Sequence, residues 1–264
     1  MTSDALRRNN VRTFGSGKQP MLFAHGFGCD QNMWRFVAPR FADDHLVVLF
    51  DAVGAGGSDL SAYDERRYAS LDGYADDVLQ ICSALSLSDV VFVGHSVSAM
   101  IGVIAAARRP ELFARLVLVG PSPRYIDDEG YRGGFSAADI DELLDSLDAN
   151  FLGWSQTMAP VIMGNADRPQ LGEELTNSFC RTDPEIAREF ARVTFTSDNR
   201  ADLRRASVPA LVLQCRDDVI APYEVGEYVQ RELPDATLVV LDATGHCPNL
   251  SAPDETIAAI RDFL

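Results

Sequence analysis

The chain has 264 residues, of which 47% are hydrophobic and 23% are charged, a balance typical of a globular protein. It carries 39 acidic residues against 23 lysines and arginines, a formal net charge of −16. Such a charge repels phosphate backbones and anionic lipids, which argues against binding to nucleic acids or to membrane surfaces. The longest apolar run, Ala99 to Ala107, is about half the length of a membrane span, and the polar N-terminal segment lacks the apolar core of a signal peptide. Five scattered cysteines form no CxxC pair, so we expect no disulfide framework, no metal site and a reducing, cytoplasmic location.

Short Val- and Leu-rich runs alternate with helical patterns as far as Gly120. In chain order the pattern predicts strands at Met21–Ala24 and His45–Phe50, a helix over Tyr74–Leu87, a strand at Asp89–Val93, a helix over Ser98–Arg108 and a strand at Leu116–Val119. Continuous apolar strands that alternate with helices indicate a mostly parallel sheet covered on both faces.

The alternation of strands with helices stops after Pro121. Helical patterns follow without a convincing strand, among them an amphipathic stretch from Ile140 to Phe151 and a second helix that Pro184 opens. Strands return at Ala210–Gln214 and Thr237–Leu241, and a last helix covers Asp254–Leu264. We therefore predict one α/β domain over 1–264, with a core at 1–122 and 207–264 and a helical insertion at about 123–206. An insertion of this size on an open sheet is typical of a lid over a site.

A nucleophile motif follows the third apolar run. Residues Val91–Met100 read VFVGHSVSAM, a strand, the turn GHSVS and then a helix. A sharp strand-to-helix turn of this kind exposes a serine hydroxyl at the top of a sheet, and its crowding requires small residues two positions before and after the serine. Gly94 meets this requirement, and Ser98, which stands in place of the second glycine of G-x-S-x-G, is still small. The pattern predicts Ser96 as the nucleophile.

A serine nucleophile needs a base, and the chain has four histidines. His95 adjoins Ser96 in the tight turn, so we expect its side chain to point elsewhere. His25 lies in a glycine-flanked loop, and His45 opens a predicted strand. His246 follows the last predicted strand, and α/β sheets place functional groups in the loops at the carboxyl ends of their strands. His246 is therefore the predicted base.

The imidazole in turn needs a carboxylate that orients it and stabilises its protonated form. Asp217 and Asp218 follow the strand over Ala210–Gln214 and lie between Ser96 and His246 in the chain. Because neighbouring side chains diverge at the end of a strand, only one of the two can face the histidine.

The negative oxygen of a tetrahedral intermediate needs backbone amide donors. One is expected at Val97, the residue after the nucleophile, and the other in the loop after an early strand. The glycine-rich loop after Met21–Ala24 fits the second, with the Phe27 amide as the best candidate donor. The Phe27 ring is also expected to form part of the wall of the site.

Two other features look like sites but are interpreted otherwise. The loop over Val53–Ser58 follows a strand and is rich in glycine, but it lacks the full G-x-G-x-x-G spacing of a nucleotide-binding loop. Paired aspartates occur on polar loops and helix faces, where solvated charge explains them. We expect no cofactor.

Longer motifs resemble the RsbQ-like branch of the α/β-hydrolase family, which is similar to the plant karrikin and strigolactone receptors. The resemblance covers nearly the whole chain, and the order Ser…Asp…His is that of the family. It rests on HGFGCDQNMW (His25–Trp34), DAVGAGGSD (Asp51–Asp59), GHSVSAMIG (Gly94–Gly102), GPSPRY (Gly120–Tyr125), GGF (Gly133–Phe135), QCRDDVIAP (Gln214–Pro222) and GHCP (Gly245–Pro248). GHSVSAMIG and GPSPRY are much more specific than a bare G-x-S-x-G.

The resemblance implies an α/β-hydrolase fold with a V-shaped lid of four helices over a mostly apolar pocket. In this family the acid commonly precedes a proline by four positions, which favours Asp218 because Pro222 follows it at that distance. The implied triad is Ser96, Asp218 and His246. The matching motif positions imply that the cavity is lined by Phe27, Tyr125, Phe135, Trp154, Phe195 and Val219.

Two functions fit this pattern. The first is a serine hydrolase that cleaves a small apolar ester or lactone through an acyl-enzyme. The second is a ligand-binding signalling protein with slow or no turnover, which controls a partner through its lid; RsbQ-like proteins imply a stress-response phosphatase or another regulatory protein as that partner. A serine at the turn argues against dehalogenases and epoxide hydrolases, whereas cofactor-free oxygenases and C–C hydrolases share the triad and stay open.

Overall fold

The computed structural model describes residues 2–264, with side chains from Asp4 onward. Within this range it contains seven strands: β1 (Arg12–Phe14), β2 (Gln19–Ala24), β3 (His45–Leu49), β4 (Val90–His95), β5 (Phe113–Val119), β6 (Ala210–Asp217) and β7 (Ala236–Thr244). The helices are α1 (Thr2–Arg8), α2 (Leu71–Ala84), α3 (Val97–Arg108), α4 (Ala137–Ala149), α5 (Phe151–Met163), α6 (Pro169–Phe179), α7 (Pro184–Thr196), α8 (Arg200–Leu203), α9 (Tyr223–Glu232), α10 (Pro248–Ser251) and α11 (Pro253–Phe263).

The strands form one sheet in the order β1-β3-β2-β4-β5-β6-β7. All neighbouring pairs are parallel except β1 with β3, which is antiparallel. The predicted mostly parallel sheet flanked by helices is therefore confirmed. Its carboxyl edge collects the loops after β2, β4, β6 and β7, which carry the predicted chemistry.

Alternation along the strands divides the core into two layers. On β4, Phe92 packs into one apolar layer, and Val91 and Val93 pack into the other. Helices α2, α3 and α9 bury apolar residues in the first layer, and α11 does so in the second. Both faces of the sheet are thus covered, and this is why its strands read as continuous apolar runs.

Helices α4–α7 lie between β5 and β6, and we call residues 137–196 the four-helix segment. Ser136 and Asp139 form a capping box at the start of α4, and the Asp183 carboxylate accepts hydrogen bonds from two amides at the start of α7, where Pro184 is the first residue. The predicted helix from Ile140 to Phe151 is two helices in the structure. It breaks at Asn150, which ends α4 and caps α5 by accepting a hydrogen bond from the Gly153 amide at 3.0 Å.

Two N-terminal elements were not predicted, α1 and β1. Strand β1 has three residues, two of them exposed, so it lacks the apolar run that marks the other strands. Its pairing with the edge of the sheet, where Thr13 lies opposite Val48, is a long-range contact that no local pattern encodes.

Candidate active site

Ser96 occupies a strained turn between β4 and α3. Its φ of 57° lies in the left-handed region, which a residue with a side chain adopts only when its surroundings enforce it. The Ser96 amide donates to the Val119 carbonyl on β5 at 2.8 Å, which fixes the turn on the sheet. A Cβ at Gly94 would lie 2.5 Å from the Ser98 carbonyl oxygen, so this position admits only glycine.

Ser98, the departure from the motif, is buried and takes part in the site. Its hydroxyl donates a short hydrogen bond to the His25 carbonyl and so ties the serine turn to the loop after β2. A glycine has no hydroxyl and could not make this hydrogen bond, so the serine at this position stabilises the contact between the two loops.

His246 joins Ser96 to Asp218. The His246 Nε2 atom lies 2.7 Å from Ser96 Oγ, and its Nδ1 lies 2.7 Å from Asp218 Oδ2. With a neutral imidazole, this arrangement assigns the proton to Nδ1, which donates to the carboxylate, and leaves Nε2 to accept from the serine hydroxyl. All three residues are buried.

The Asp218 carboxylate is held by its own loop. Its Oδ1 atom accepts hydrogen bonds from the amides of Ile220 at 2.8 Å and Ala221 at 3.1 Å, which leaves Oδ2 directed at His246. Asp217 is exposed, and its backbone carbonyl accepts from the Gly245 amide. Of the two aspartates that the strand end offers, Asp218 is the one beside the histidine.

Two further histidines support the site. His95 makes no hydrogen bond to Ser96, as expected, but its Nε2 lies 2.7 Å from the His246 carbonyl and donates to it. Burial, together with the nearby His246, lowers the pKa of His95 to about 3, so its ring is neutral. His25 accepts the Ala52 amide at Nε2, and this anchors the loop after β2. The contact between His95 and His246 was not predicted, and adjacency of His95 to the nucleophile was the only signal for it in the sequence.

The loop after β2 lies directly against the serine turn. A Cβ at Gly26 would come within 2.7 Å of His95 Nδ1 and 3.2 Å of Ser96 Cβ, so only glycine allows this approach. No hydrogen-bond acceptor is found for the Phe27 amide among residues 2–264. Val97 is the first residue of α3, where an amide has no acceptor within its own helix. Both amides therefore have the donor capacity that the predicted oxyanion-stabilising role requires.

A small cavity of about 30 Å³ lies over Ser96 and His246, with room for about two water molecules. Apolar and aromatic side chains dominate its lining, and the buried hydroxyls of Tyr125 and Thr194 have no hydrogen-bond partner in the described chain. Burial raises the pKa of Tyr125 to about 12, so this hydroxyl keeps its proton. The lining consists of Phe27, Cys29, His95, Ser96, Tyr125, Ile162, Leu175, Phe179, Thr194, Phe195, Ile220, His246 and Cys247. A larger open groove of about 820 Å³, between α5 and α6, is not lined by Ser96 or His246.

Three of the six predicted lining residues face this cavity: Phe27, Tyr125 and Phe195. The predicted Val219 does not line this cavity and is 54% exposed, because the Asp218 carboxylate binds the amides of Ile220 and Ala221 and the resulting turn presents Ile220 instead. Phe135 is not part of the cavity lining; its amide donates to the Tyr125 carbonyl, and its ring packs against the core.

Trp154 is also absent from the cavity lining. Its ring stacks on Phe179 at 5.8 Å and meets Phe27 edge-on at 6.3 Å, so it supports two rings that do line the cavity. Several lining residues were not predicted, and four of them lie on the four-helix segment: Ile162, Leu175, Phe179 and Thr194.

A mostly parallel sheet with a serine at a strand-to-helix turn, and with an aspartate and a histidine after later strands, defines the α/β-hydrolase class. The chain belongs to the Alpha/beta hydrolase family, which it matches over residues 21–259. Membership of the α/β-hydrolase family, which the motifs predicted, is thereby confirmed.

Two named proteins and one solved structure are similar to the chain over nearly its whole length. The chain is 41% identical over 260 residues to Strigolactone esterase D14 of Arabidopsis thaliana, covering 98% of this chain and 97% of the relative. It is 40% identical to Karrikin insensitive 2 receptor CA of Petunia hybrida, covering 96% of this chain and 94% of the relative. A solved hydrolase from Oleispira antarctica superposes with a TM-score of 0.96 at 40% identity, covering 99% of this chain and 96% of that structure.

Helices long and apolar enough to cross a bilayer do not occur among residues 2–264.

Proposed function

We propose that the protein is a serine hydrolase that cleaves a small apolar ester or lactone through an acyl-enzyme. The observation that carries the proposal is the continuous chain of hydrogen bonds from Ser96 through His246 to Asp218, with both contacts at 2.7 Å. These distances lie within the range that direct proton transfer requires. The proposed catalytic residues are Ser96, His246 and Asp218.

In the first half-reaction Ser96 Oγ attacks the carbonyl carbon as its proton moves to His246 Nε2. The Phe27 and Val97 amides donate to the oxygen that gains negative charge, while Asp218 stabilises the imidazolium. Collapse of the intermediate breaks the bond to the alcohol oxygen, which takes the proton from His246. In a lactone, this alcohol stays attached to the acyl group.

Water completes the cycle. His246 removes a proton from a water molecule as the water attacks the acyl-serine carbonyl, and it returns the proton to Ser96 Oγ when the ester bond breaks. The products are a carboxylic acid and the regenerated serine. No cofactor and no metal enter these steps.

The polarity of the cavity lining supports the proposed substrate class. Phe27, Phe179 and Phe195 offer apolar surface, and only a few hydroxyls are available for polar recognition, which suits a small ligand with one carbonyl centre. We assign the four-helix segment, within an insertion at about 123–206, the role of a lid. The core at 1–122 and 207–264 supplies the reacting groups.

We infer a second candidate role, that of a ligand-sensing receptor with slow turnover. Two observations favour it. One relative of similar identity carries the name of a receptor and another that of an esterase. The cavity is also so small that binding of a ligand larger than a few atoms requires movement of side chains in its lining. The lid surface is then the proposed contact for a signalling phosphatase or another regulatory protein, and a cytoplasmic location stays a prediction from the cysteine content.

Substitution of the nucleophile tests the hydrolase. Ser96→Ala is expected to abolish turnover of a short p-nitrophenyl ester and covalent labelling by a fluorophosphonate. Ser83→Ala, at an exposed serine of α2, is the matched control and should behave as the wild type. Undiminished labelling of the Ser96→Ala protein would refute the proposed nucleophile.

Pre-steady-state kinetics separate the two roles. A sensor is expected to release about one equivalent of alcohol in a burst and then to turn over slowly, because deacylation or product release limits the rate. Rapid steady-state turnover of the same ligand, without a burst, would contradict the sensing role and leave the hydrolase.

A further inference from the structure

The loop that carries His246 is attached to the four-helix segment as well as to the sheet. The His246 amide donates to the carbonyl of Ile162, in the last turn of α5, at 2.9 Å. The neighbouring Gly245 packs so closely that a Cβ there would lie 1.9 Å from the Met163 carbonyl oxygen. The end of α5 is therefore a direct backbone support of the proposed base.

Asn165 extends this support by a second contact. It follows α5 in the left-handed conformation, with φ of 57°, and its side-chain amide donates to the carbonyls of Met163 and Thr244, each at 2.8 Å. Thr244 is the last residue of β7 and lies two positions before His246. The side chain of Asn165 thus joins the end of α5 to the start of the His246 loop.

Arg168 fixes Asn165 and reaches the far end of the same loop. Its guanidinium donates to Asn165 Oδ1 and, at 2.7 Å, to the Ser251 carbonyl at the end of α10. The bond to Oδ1 sets the orientation in which the Asn165 amide group faces Thr244. Contacts from the corner between α5 and α6, residues 164–168, therefore hold the loop on both sides of His246, at Thr244 and at Ser251.

We propose that Asn165 and Arg168 are positioning residues that hold His246 in register with Ser96 and Asp218. The inference rests on the proposed function, since the position of the imidazole matters to a reaction only if it accepts a proton from Ser96. Neither residue lines the cavity or touches the catalytic side chains, so both act through the backbone of the His246 loop.

The consequence is a division within the four-helix segment. Its corner between α5 and α6 cannot move away from the sheet without moving His246, whereas α7 has no such attachment to that loop among residues 2–264. Proton transfer tolerates little displacement, and a shift of about 1 Å can cost about 10²-fold in rate. Loosening the corner should therefore lower the rate of the chemical step and leave substrate binding nearly unchanged.

The test uses Asn165→Gly, which removes the side-chain contacts and keeps a residue that accepts positive φ without strain. Asn150→Gly is the matched control, because it removes a capping side chain at the other end of α5 that bonds to the Gly153 amide and not to the His246 loop. Arg168→Met is the second variant, with an apolar chain of similar reach. Thermal unfolding checks that each protein is folded at the assay temperature.

For a short p-nitrophenyl ester, Asn165→Gly and Arg168→Met should lower kcat and the fluorophosphonate labelling rate about tenfold, with KM within about twofold. Asn150→Gly should leave kcat, KM and the labelling rate within about twofold of the wild type. Wild-type kcat in Asn165→Gly, a rise in KM alone, or an equal loss in Asn150→Gly would each overturn the inference.

A readout independent of turnover separates this inference from the proposed function. The His246 Nδ1 proton bound to Asp218 should give a downfield proton NMR resonance that Asp218→Asn abolishes, and Asn165→Gly should broaden it or shift it. If the wild type resists the fluorophosphonate, the proposed function fails and this resonance alone decides the inference. An unchanged resonance in Asn165→Gly would overturn it.

Discussion

The sheet and the four-helix segment contribute to the site in different ways. The sheet supplies hydrogen-bonding groups at the ends of its strands, with Ser96 after β4, Asp218 after β6 and His246 after β7. The segment contributes mainly apolar surface, with Phe179 and Phe195 over the same cavity. Bond making and ligand selection thus lie mainly in separate parts of the molecule, and substitutions should affect them separately except at Asn165 and Arg168, which support the His246 loop from the segment.

Phe27 is where the two regions meet. It follows β2, and its ring lies 5.7 Å from Phe179, 5.9 Å from Phe190 and 6.1 Å from Phe195. One residue in the loop after β2 thus supplies both the ring that contacts the segment and, in the proposed mechanism, an amide for the oxyanion. The aromatic contacts couple the closure of the cavity to the loop that carries this amide.

The largest effect is expected on the sheet side, from Asp218→Asn. Loss of the carboxylate removes the group that fixes the imidazole tautomer and stabilises the imidazolium, and in a serine protease the corresponding change lowers kcat about 10⁴-fold. We expect a fall in kcat of about 10³- to 10⁴-fold with KM little changed. Asp217→Asn, at the adjacent exposed position, should retain activity. Similar losses in both variants would contradict the assignment of Asp218.

A change in selectivity is expected on the segment side, from Phe179→Ala. This ring is 2% exposed and touches Phe27 and Trp154, so its loss should cost about 3–5 kcal/mol of stability and enlarge the cavity. We expect kcat/KM for octanoyl relative to acetyl esters to rise about tenfold. Leu152→Ala, at a half-exposed position of α5, is the control that should keep the wild-type preference. An unchanged acyl-chain preference in Phe179→Ala would contradict the selective role of the segment.

The smallest effect is a pH dependence of stability that originates in the sheet. Burial holds the pKa of His95 at about 3, against 6.5 for a free histidine, with the nearby His246 as the next cause. Between these values the unfolded chain binds more protons at this position than the folded chain. The contribution of His95 to the free energy of unfolding is therefore fully present above about pH 6.5. It is lost as the pH falls, by up to about 1.4 kcal/mol per pH unit.

Urea unfolding of the wild type and of His95→Gln measures this contribution, since glutamine does not titrate and can donate to the His246 carbonyl. From about pH 7 to about pH 5 the wild type should lose up to about 2 kcal/mol more stability than the variant. Equal losses in the two proteins would show that His95 is not held neutral.

The sheet was predictable because each buried strand is a short apolar run followed by a turn signal. The Ser96 turn and His246 were predictable for a related reason, since the crowding of the turn restricts its composition and parallel strands place their carboxyl ends at one edge. Strand β1 was not predictable because its three residues carry no pattern and its pairing is distant in sequence.

The cavity lining was predicted only in part, because a motif places a residue in a loop without fixing the direction of its side chain. Val219 and Ile220 are neighbours of similar polarity, and the hydrogen bonds to Asp218 decide which one faces inward. Phe179 lies on α6, where packing against Gly28 and Trp154 determines its position rather than any local signal.

Peptide mapping after fluorophosphonate treatment shows whether His246 activates the Ser96 hydroxyl. We expect one phosphonyl adduct per chain, on the peptide that contains Ser96, and a much slower reaction in His246→Ala. An adduct on another residue while Ser96 stays unmodified, or equal labelling rates with and without the imidazole, would contradict it.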